Sequence, residues 1–319
     1  MASDGLPRLV IAAVGAGPVT GGKAFYARKQ GRPPACAFGM AGCLPGRASP
    51  GPNRIESAMR IVSICPSNTE ILCALGFSDS LVGLDRSSDW PPEIRGLPRV
   101  GPDLEVDLER VAELRPDLVF SSLSVPGMEQ NLARLDAAGI PQVVVDAQSL
   151  DQVYRSILLV GRVLGAAQRA HALIVDMRAR LAAVEERAAR LPRRPKVFLE
   201  WWPRPVIVPG RDCWTTEMIR LAGGESLFAD LELRSTPVEN HRVLERPPDL
   251  MLTCWCGVPH DKQRPEKMAE RSGWDRLEAV QKKRMYAAEE CYFGRPGPRV
   301  VDGVEWLHDK ISLWAQEQS

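Results

Sequence analysis

The sequence predicts an α/β fold in which two Rossmann-like lobes are joined by a long helical linker. Short apolar strands and helices alternate from Met59 to Gln148, which is typical of a mainly parallel sheet with helices on both faces. The pattern recurs in the second half, where Thr216–Gly223 matches Thr69–Gly76 in spacing. Two similar lobes imply a cleft between them, and we expect the function to be located there.

The first unit of lobe one sets the pattern for the rest of the chain. A buried strand is predicted at Ile61–Cys65, followed by a tight turn and a helix. Ser67 and Glu70 have the spacing of a capping box, in which both side chains accept hydrogen bonds from backbone N–H groups at the helix start. Gly76 supplies the left-handed residue that ends the helix.

A second repeated segment supports the two-lobe prediction. Leu108–Ser121 and His241–Thr253 each predict a short helix, a Pro-Asp break and an apolar strand. Between the lobes, Ser149 and Gln152 form another capping box, and Ala166–Leu191 is rich in strong helix formers. The predicted regions are a leader at 1–58, lobe one at 59–148, the linker at 149–195 and lobe two at 196–319.

The leader allows two interpretations. It is rich in Gly, Pro and Ala without periodicity, which fits a disordered leader or an over-extended start, with Met59 the natural beginning. The chain as written has no clear signal peptide, which favours the cytoplasm. The alternative is a membrane-tethered lipoprotein, because Met40-Ala41-Gly42-Cys43 resembles a lipoprotein cleavage box with Cys43 as the lipid attachment site.

The composition excludes several classes of protein. A net charge of +1 and ordinary apolar and charged fractions give no reason to expect nucleic acid as a partner. No run approaches the ~18 apolar residues of a membrane span. The eight cysteines are too sparse for a disulfide scaffold, and Cys254-Trp255-Cys256 is too closely spaced for a zinc pair. We expect a monomer without cofactor or metal.

Catalytic signatures are scarce, so the sequence predicts a binding protein rather than an enzyme. It has no nucleophile elbow, phosphate-binding loop or zinc-protease motif. The acidic pairs Glu289-Glu290 and Glu239 with Glu245 are interpreted as surface charge. The four histidines are also expected on the surface, at positions 171, 241, 260 and 308.

Large aromatic residues are concentrated in the loops predicted at the carboxyl edges of the strands. Five of the eight tryptophans fall there, and such side chains suit a flat, partly apolar ligand. The same edge carries the Pro66-Ser67-Asn68 turn, and its arginines could meet amide, phosphate or carboxylate oxygens. The tryptophans are Trp90, Trp201, Trp202, Trp214 and Trp255, and the arginines are Arg211, Arg295 and Arg299.

Several segments resemble the cobalamin-binding substrate-binding proteins of ABC importers. The matching segments are IVSICPSNTEILCALG, SSDWPP, DLERVAELRPDLVF, AAGIPQVVVD and PGRDCWTTEMIRLAGGESLF. The resemblance extends from about Met59 to Trp314 and implies the class III periplasmic-binding-protein fold. In that fold the ligand is held between two α/β lobes.

The resemblance also implies particular site residues. The ligand pocket would include Asp89, Trp90 and Pro91 from lobe one, with Trp201, Trp202, Tyr292 and Phe293 from lobe two. Cys291 replaces an aspartate of the enteric cobalamin binder. Glu129 matches one of the family's two permease-docking glutamates, whereas His241 replaces the other.

We therefore predict a non-enzymatic protein that binds a corrinoid, and the resemblance implies an ABC permease as its partner. A ferric siderophore or haem is the alternative ligand, with the three arginines as anion partners and Tyr292 or His241 as an iron ligand. The sequence is also compatible with a cytoplasmic corrinoid carrier or sensor, and with an enzyme that acts on a corrinoid precursor.

Overall fold

The computed structural model describes residues 59–125 and 127–318 and the backbone of residues 11–12. Lobe one is built on a parallel sheet with the strand order β1-β5-β4-β2-β3. Its elements are β1 (Ile11–Ala12), β2 (Ile61–Ser63), α1 (Pro66–Ala74), β3 (Leu81–Leu84), α2 (Leu108–Glu113), β4 (Leu118–Ser122), α3 (Glu129–Ala137) and β5 (Gln142–Val145). Strand β1 falls within the predicted leader, whereas Cys43 lies outside the described residues.

Helix α1 begins differently from the prediction. Pro66 occupies the first turn, where its missing N–H needs no partner, and the helix therefore starts before Ser67. The predicted capping box is wrong, because no side chain caps this helix and Glu70 is buried within it. The predicted helix end is confirmed by Gly76, which has a φ of 77°.

Two helices form the linker, α4 (Leu150–Val163) and α5 (Ala167–Ala188). The side chain of Ser149 accepts a hydrogen bond from the backbone N–H of Gln152, at 3.2 Å, as the sequence predicts. The Gln152 side chain instead accepts from the backbone N–H of Gln148, at 2.7 Å. Gly165, with a φ of 66°, separates the two helices, and α5 is about 33 Å long at ~1.5 Å per residue.

Lobe two contains two sheets. A parallel sheet has the order β12-β11-β6-β9, and a small antiparallel sheet has the order β10-β8-β7. The elements are β6 (Lys196–Glu200), β7 (Trp202–Pro203), β8 (Val206–Pro209), α6 (Trp214–Leu221), β9 (Glu225–Ser226), β10 (Ser235–Val238), α7 (Asn240–Leu244), β11 (Leu250–Thr253), α8 (Glu278–Gln281), β12 (Met285–Ala287), α9 (Glu290–Phe293) and α10 (Val300–Gln316).

One apolar cluster extends through both lobes and the linker. It includes Phe120 of lobe one, Met177 of the linker and Leu199 of lobe two. Arg180 on α5 also donates hydrogen bonds to Asp302 and Glu305 on α10, at 2.7 and 2.6 Å. This shared packing ties the linker to lobe two.

No helix in the described residues is long and apolar enough to cross a membrane.

Candidate functional site

The loop after β3 carries the first predicted ligand residues. The buried carboxylate of Asp85 accepts hydrogen bonds from the backbone N–H groups of Ser87 and Ser88, at 2.7 and 2.9 Å, and from the Ser88 hydroxyl. Burial raises the pKa of Asp85 to about 6 in spite of these hydrogen bonds. The turn fixed in this way presents Asp89 and Trp90, both of them exposed.

Arg295 is the centre of an ion cluster between the lobes, which we define as Glu70, Asp89, Glu290, Arg295 and Arg299. Its guanidinium donates hydrogen bonds to Glu70 at 3.0 Å, to Asp89 at 2.8 Å and to Glu290 at 2.8 Å. Burial would lower the pKa of Arg295, but the three carboxylates together raise it above the ordinary arginine value. Because Glu70 and Asp89 belong to lobe one, the cluster connects the two lobes.

Arg299 extends this cluster to two aromatic rings. Its guanidinium carbon lies 4.4 Å from the centroid of the Trp90 ring and 5.0 Å from that of Tyr292. Its Nη1 is also 3.7 Å from the Glu70 carboxylate. A cation of lobe two therefore contacts an exposed tryptophan of lobe one, which is a second connection across the cleft.

A pocket of about 330 Å³ adjoins the ion cluster and is lined by both lobes. We call it the interlobe pocket. Lobe one contributes Arg86, Ser87 and Asp89. Lobe two contributes Gly257, Val258, Pro259, His260, Glu289, Glu290, Cys291 and Arg295. Of the predicted ligand residues, Asp89 and Arg295 line this pocket.

Three of the predicted aromatic residues are buried beneath the cleft. Trp201 and Trp214 have ring centroids 5.4 Å apart, and the Nε1 of Trp214 donates to the carbonyl of Phe293 at 3.0 Å. Trp214 is the first residue of α6 rather than a loop residue. Arg234 lies over the Trp214 ring at 5.4 Å and donates a hydrogen bond to the carbonyl of Ser124 in lobe one.

A larger pocket of about 950 Å³ lies within lobe two. We call it the lobe-two pocket. Its lining consists of Trp202, Pro203, Arg204, Pro205, Val206, Pro237, Val238, Glu239, Asn240, Trp255, Lys267, Glu270 and Arg271. Trp202 and Trp255 follow the carboxyl ends of β6 and β11, so two more of the predicted aromatic residues belong to this pocket.

The other predicted residues lie outside both pockets. Pro66 and Ser67 are buried in the first turn of α1, and Pro91 follows Trp90. Arg211 is exposed and donates to Glu232 at 2.8 Å. The predicted docking residue Glu129 is exposed at the start of α3, where its carboxylate accepts from the backbone N–H of Gly127 at 2.9 Å.

Two residues that were predicted to lie on the surface, Glu290 and His308, are instead mostly or fully buried. Glu290 is largely buried because it faces Arg295, and the two charges compensate each other. His308 is buried on α10, with its Nδ1 within 3.0 Å of the Ala222 carbonyl. Glu70 is a residue of the ion cluster that was not predicted as part of the site. The signal that could have revealed it is that Glu70 is the one charged side chain of a helix whose next residues are Ile71 and Leu72.

The described residues contain no group of three or more histidine, cysteine or acidic side chains arranged to hold a metal ion. Cys254 is buried, and Cys256 and Cys291 lie near it as free thiols. Burial raises the pKa of Cys291 to about 12. His260, with its Nδ1 3.5 Å from Glu289, is the imidazole that lines the interlobe pocket.

Comparisons with known proteins agree with this architecture. The chain is 32% identical over 257 residues to an uncharacterized ABC transporter substrate-binding lipoprotein of Bacillus subtilis, covering 79% of each protein. It is 28% identical to a vitamin B12-binding protein of Vibrio cholerae, covering 82% of this chain and 91% of that protein. A periplasmic haem-binding protein from Roseiflexus matches with a TM-score of 0.72 and 29% identity, over 82% of this chain and all of its own.

The periplasmic binding protein model matches residues 61–291, which is most of the described chain. The predicted class III architecture is confirmed by these matches and by the parallel sheets and long helix of the structure. The chain belongs to the periplasmic binding protein family and is a substrate-binding protein of the ABC transport type.

Proposed function

We propose that this protein binds a corrinoid in the cleft between its lobes and presents it to an ABC permease. The observation that carries the proposal is the similarity to the vitamin B12-binding protein of Vibrio cholerae, which extends along 91% of that relative. Both lobes and the linker take part in this similarity, because it covers 82% of the present chain. A ligand enclosed between two lobes depends on all of these parts.

The surface of the cleft supports this ligand class. Trp90 is about two-fifths exposed, which is unusual for such a large apolar side chain. Its ring offers flat apolar contact for a macrocycle. The polar groups of the interlobe pocket can form hydrogen bonds with the amide side chains around the edge of the macrocycle.

Exposed Glu129 remains our proposed contact with the permease.

Haem is the second candidate ligand. It is favoured by the Roseiflexus relative, which is as similar in sequence as the vitamin B12-binding protein. The interlobe pocket also contains His260, which could coordinate iron, and the nearby Tyr292 contacts Arg299. The two ligands must therefore be distinguished by experiment.

The test is calorimetric titration of the full chain with cyanocobalamin and, separately, with ferric haem. We expect saturable one-to-one binding of cyanocobalamin. Trp90→Ala should weaken it about three- to tenfold, because an exposed aromatic contact at the cleft is lost. Val175→Ala, which removes an exposed apolar side chain from the linker helix, is the matched control and should leave the affinity unchanged. Binding of haem without binding of cyanocobalamin would refute the proposal.

A further inference from the structure

The lobe-two pocket is about three times the volume of the interlobe pocket, at 950 against 330 Å³. Resting on the corrinoid function above, we propose that the lobe-two pocket receives the nucleotide loop of a complete corrinoid. This loop joins a phosphodiester, a ribose and a flat heteroaromatic base to one face of the corrin ring. Cobinamides, which lack the loop, would then bind more weakly.

The floor of this pocket is fixed by a buried carboxylate. Glu200 is fully buried and accepts hydrogen bonds from the Nε1 of Trp255 at 2.9 Å and from the Nη2 of Arg271 at 3.0 Å. The Arg271 guanidinium also lies 4.6 Å from the Trp274 ring. The charge of Arg271 is therefore compensated within the protein, and the network holds the shape of the floor.

Four further charged side chains line the walls, and all four are exposed to solvent. Arg204 and Lys267 have no side-chain hydrogen bond or ion pair within the described residues, and the same holds for Glu239 and Glu270. A purely anionic ligand would pair with Arg204 and Lys267 and leave the two glutamates to water, and a purely cationic ligand would do the reverse. A nucleotide meets both, because its phosphodiester is an anion and its ribose hydroxyls donate hydrogen bonds to carboxylates.

The apolar part of the wall suits a flat base. Trp202 is 41% exposed and is flanked in the lining by Pro203, Pro205 and Pro237. Stacking on an aromatic side chain is a general way to hold a nucleobase, and it tolerates differences in the base. The volume of about 950 Å³ lies at the upper end of the ~300–1,000 Å³ range of small-molecule pockets.

The pocket is also placed where such a loop could reach it. Trp202 follows β6 and Trp255 follows β11, at the carboxyl edge of the lobe-two sheet. The chain then continues from Trp255 directly into the wall of the interlobe pocket at Gly257 and His260. One loop therefore borders both pockets, and a ring held between the lobes can direct its nucleotide loop into lobe two.

The test compares cyanocobalamin with dicyanocobinamide by calorimetric titration of the full chain. We expect cobinamide to bind at least about tenfold more weakly, since it cannot make the charge-assisted contacts of the pocket. The double variant Arg204→Gln/Lys267→Gln should weaken cyanocobalamin by a similar factor and leave cobinamide unchanged. Arg211→Gln is the matched control, because Arg211 is an exposed arginine of the same lobe that does not line the pocket.

The outcomes separate this inference from the function on which it rests. Equal affinities for the two corrinoids, or a double variant that weakens both equally, would overturn the nucleotide-loop assignment while leaving corrinoid binding in place. Failure of cyanocobalamin to bind would overturn both. Adenosine monophosphate serves as a probe for free nucleotides. If adenosine monophosphate bound as tightly as cyanocobalamin, we would conclude that the lobe-two pocket binds free nucleotides, and the assignment to the nucleotide loop of a corrinoid would be wrong.

Discussion

Asp85 shows how one residue shapes the cleft. Its side chain is fully buried, and it orders the turn that carries Asp89 and Trp90 by accepting three hydrogen bonds from two serines. Arg99 supports the same turn by donating to the backbone carbonyl of Asp85 at 3.0 Å. The loop therefore presents its exposed residues from a rigid base.

This burial has a consequence for the dependence of stability on pH. The pKa of Asp85 rises from 3.8 to about 6 on folding, so the folded state binds more protons than the unfolded state between these values. Its contribution to the free energy of unfolding should therefore fall as pH rises from about 4 to about 6. Asp85→Asn should reduce this fall, as measured by urea unfolding at pH 4.5 and at pH 7.

Asp79→Asn, at an exposed position of the same lobe, is the control and should follow the wild-type slope. Identical slopes for all three proteins would show that Asp85 does not contribute to the pH dependence of stability.

The two linker helices cross at a point where there is no room for a side chain. A Cβ on Gly161 of α4 would lie 2.5 Å from the Cβ of Ala170 on α5 and 3.2 Å from the carbonyl oxygen of Ala166. The glycine thus permits close approach of the helices, which in turn fixes their crossing. Sequence periodicity predicts both helices, but it does not reveal this contact.

Gly161→Ala should lower the free energy of unfolding by about 1–3 kcal/mol, because the added methyl group overpacks this crossing. The measurement is urea unfolding followed by circular dichroism. Gly96→Ala provides the comparison, since a Cβ there would meet nothing within 4 Å. A loss at Gly96 as large as that at Gly161 would contradict the packing explanation.

At the scale of the whole molecule, ionic and aromatic contacts join the lobes. Arg295 is 8% exposed and binds two carboxylates of lobe one, and Arg299 contacts Trp90. On another part of the cleft, Arg234 of lobe two donates to Ser124 of lobe one. Arg295, which the sequence suggests as a ligand contact, thus has its charge satisfied within the protein and positions the lobes.

Arg295→Gln should destabilise the protein by about 3–5 kcal/mol, since it leaves the buried Glu70 carboxylate without its main partner. Arg220→Gln breaks an exposed pair with Glu185 and should cost about 0–1 kcal/mol. Free energies of unfolding measured in urea provide the comparison. If both variants lost the same amount, the ion cluster would not be what stabilises the contact between the lobes.

The two α/β lobes, the linker helices and the helix end at Gly76 could be predicted from the sequence alone. These features depend on apolar periodicity and on local backbone chemistry, which neighbouring residues decide. The sequence also placed Trp202 and Trp255 just after the carboxyl ends of two strands, where they lie in the structure after β6 and β11. The antiparallel strand β10 was not predicted, because Ser235–Val238 is short and mostly exposed and depends on pairing with β8.

The pairing of charges across the molecule could not be predicted from the sequence, because it depends on the folded arrangement of distant segments. Glu70 and Arg295 are separated by 225 positions in the chain, and local spacing cannot show that they form a buried pair. The same holds for the charged residues of the lobe-two pocket. They come from the loop between β7 and β8, the start of α7 and the residues after β11, and only folding brings them around one cavity. Long-range packing, rather than local pattern, therefore determined the chemistry of the cleft.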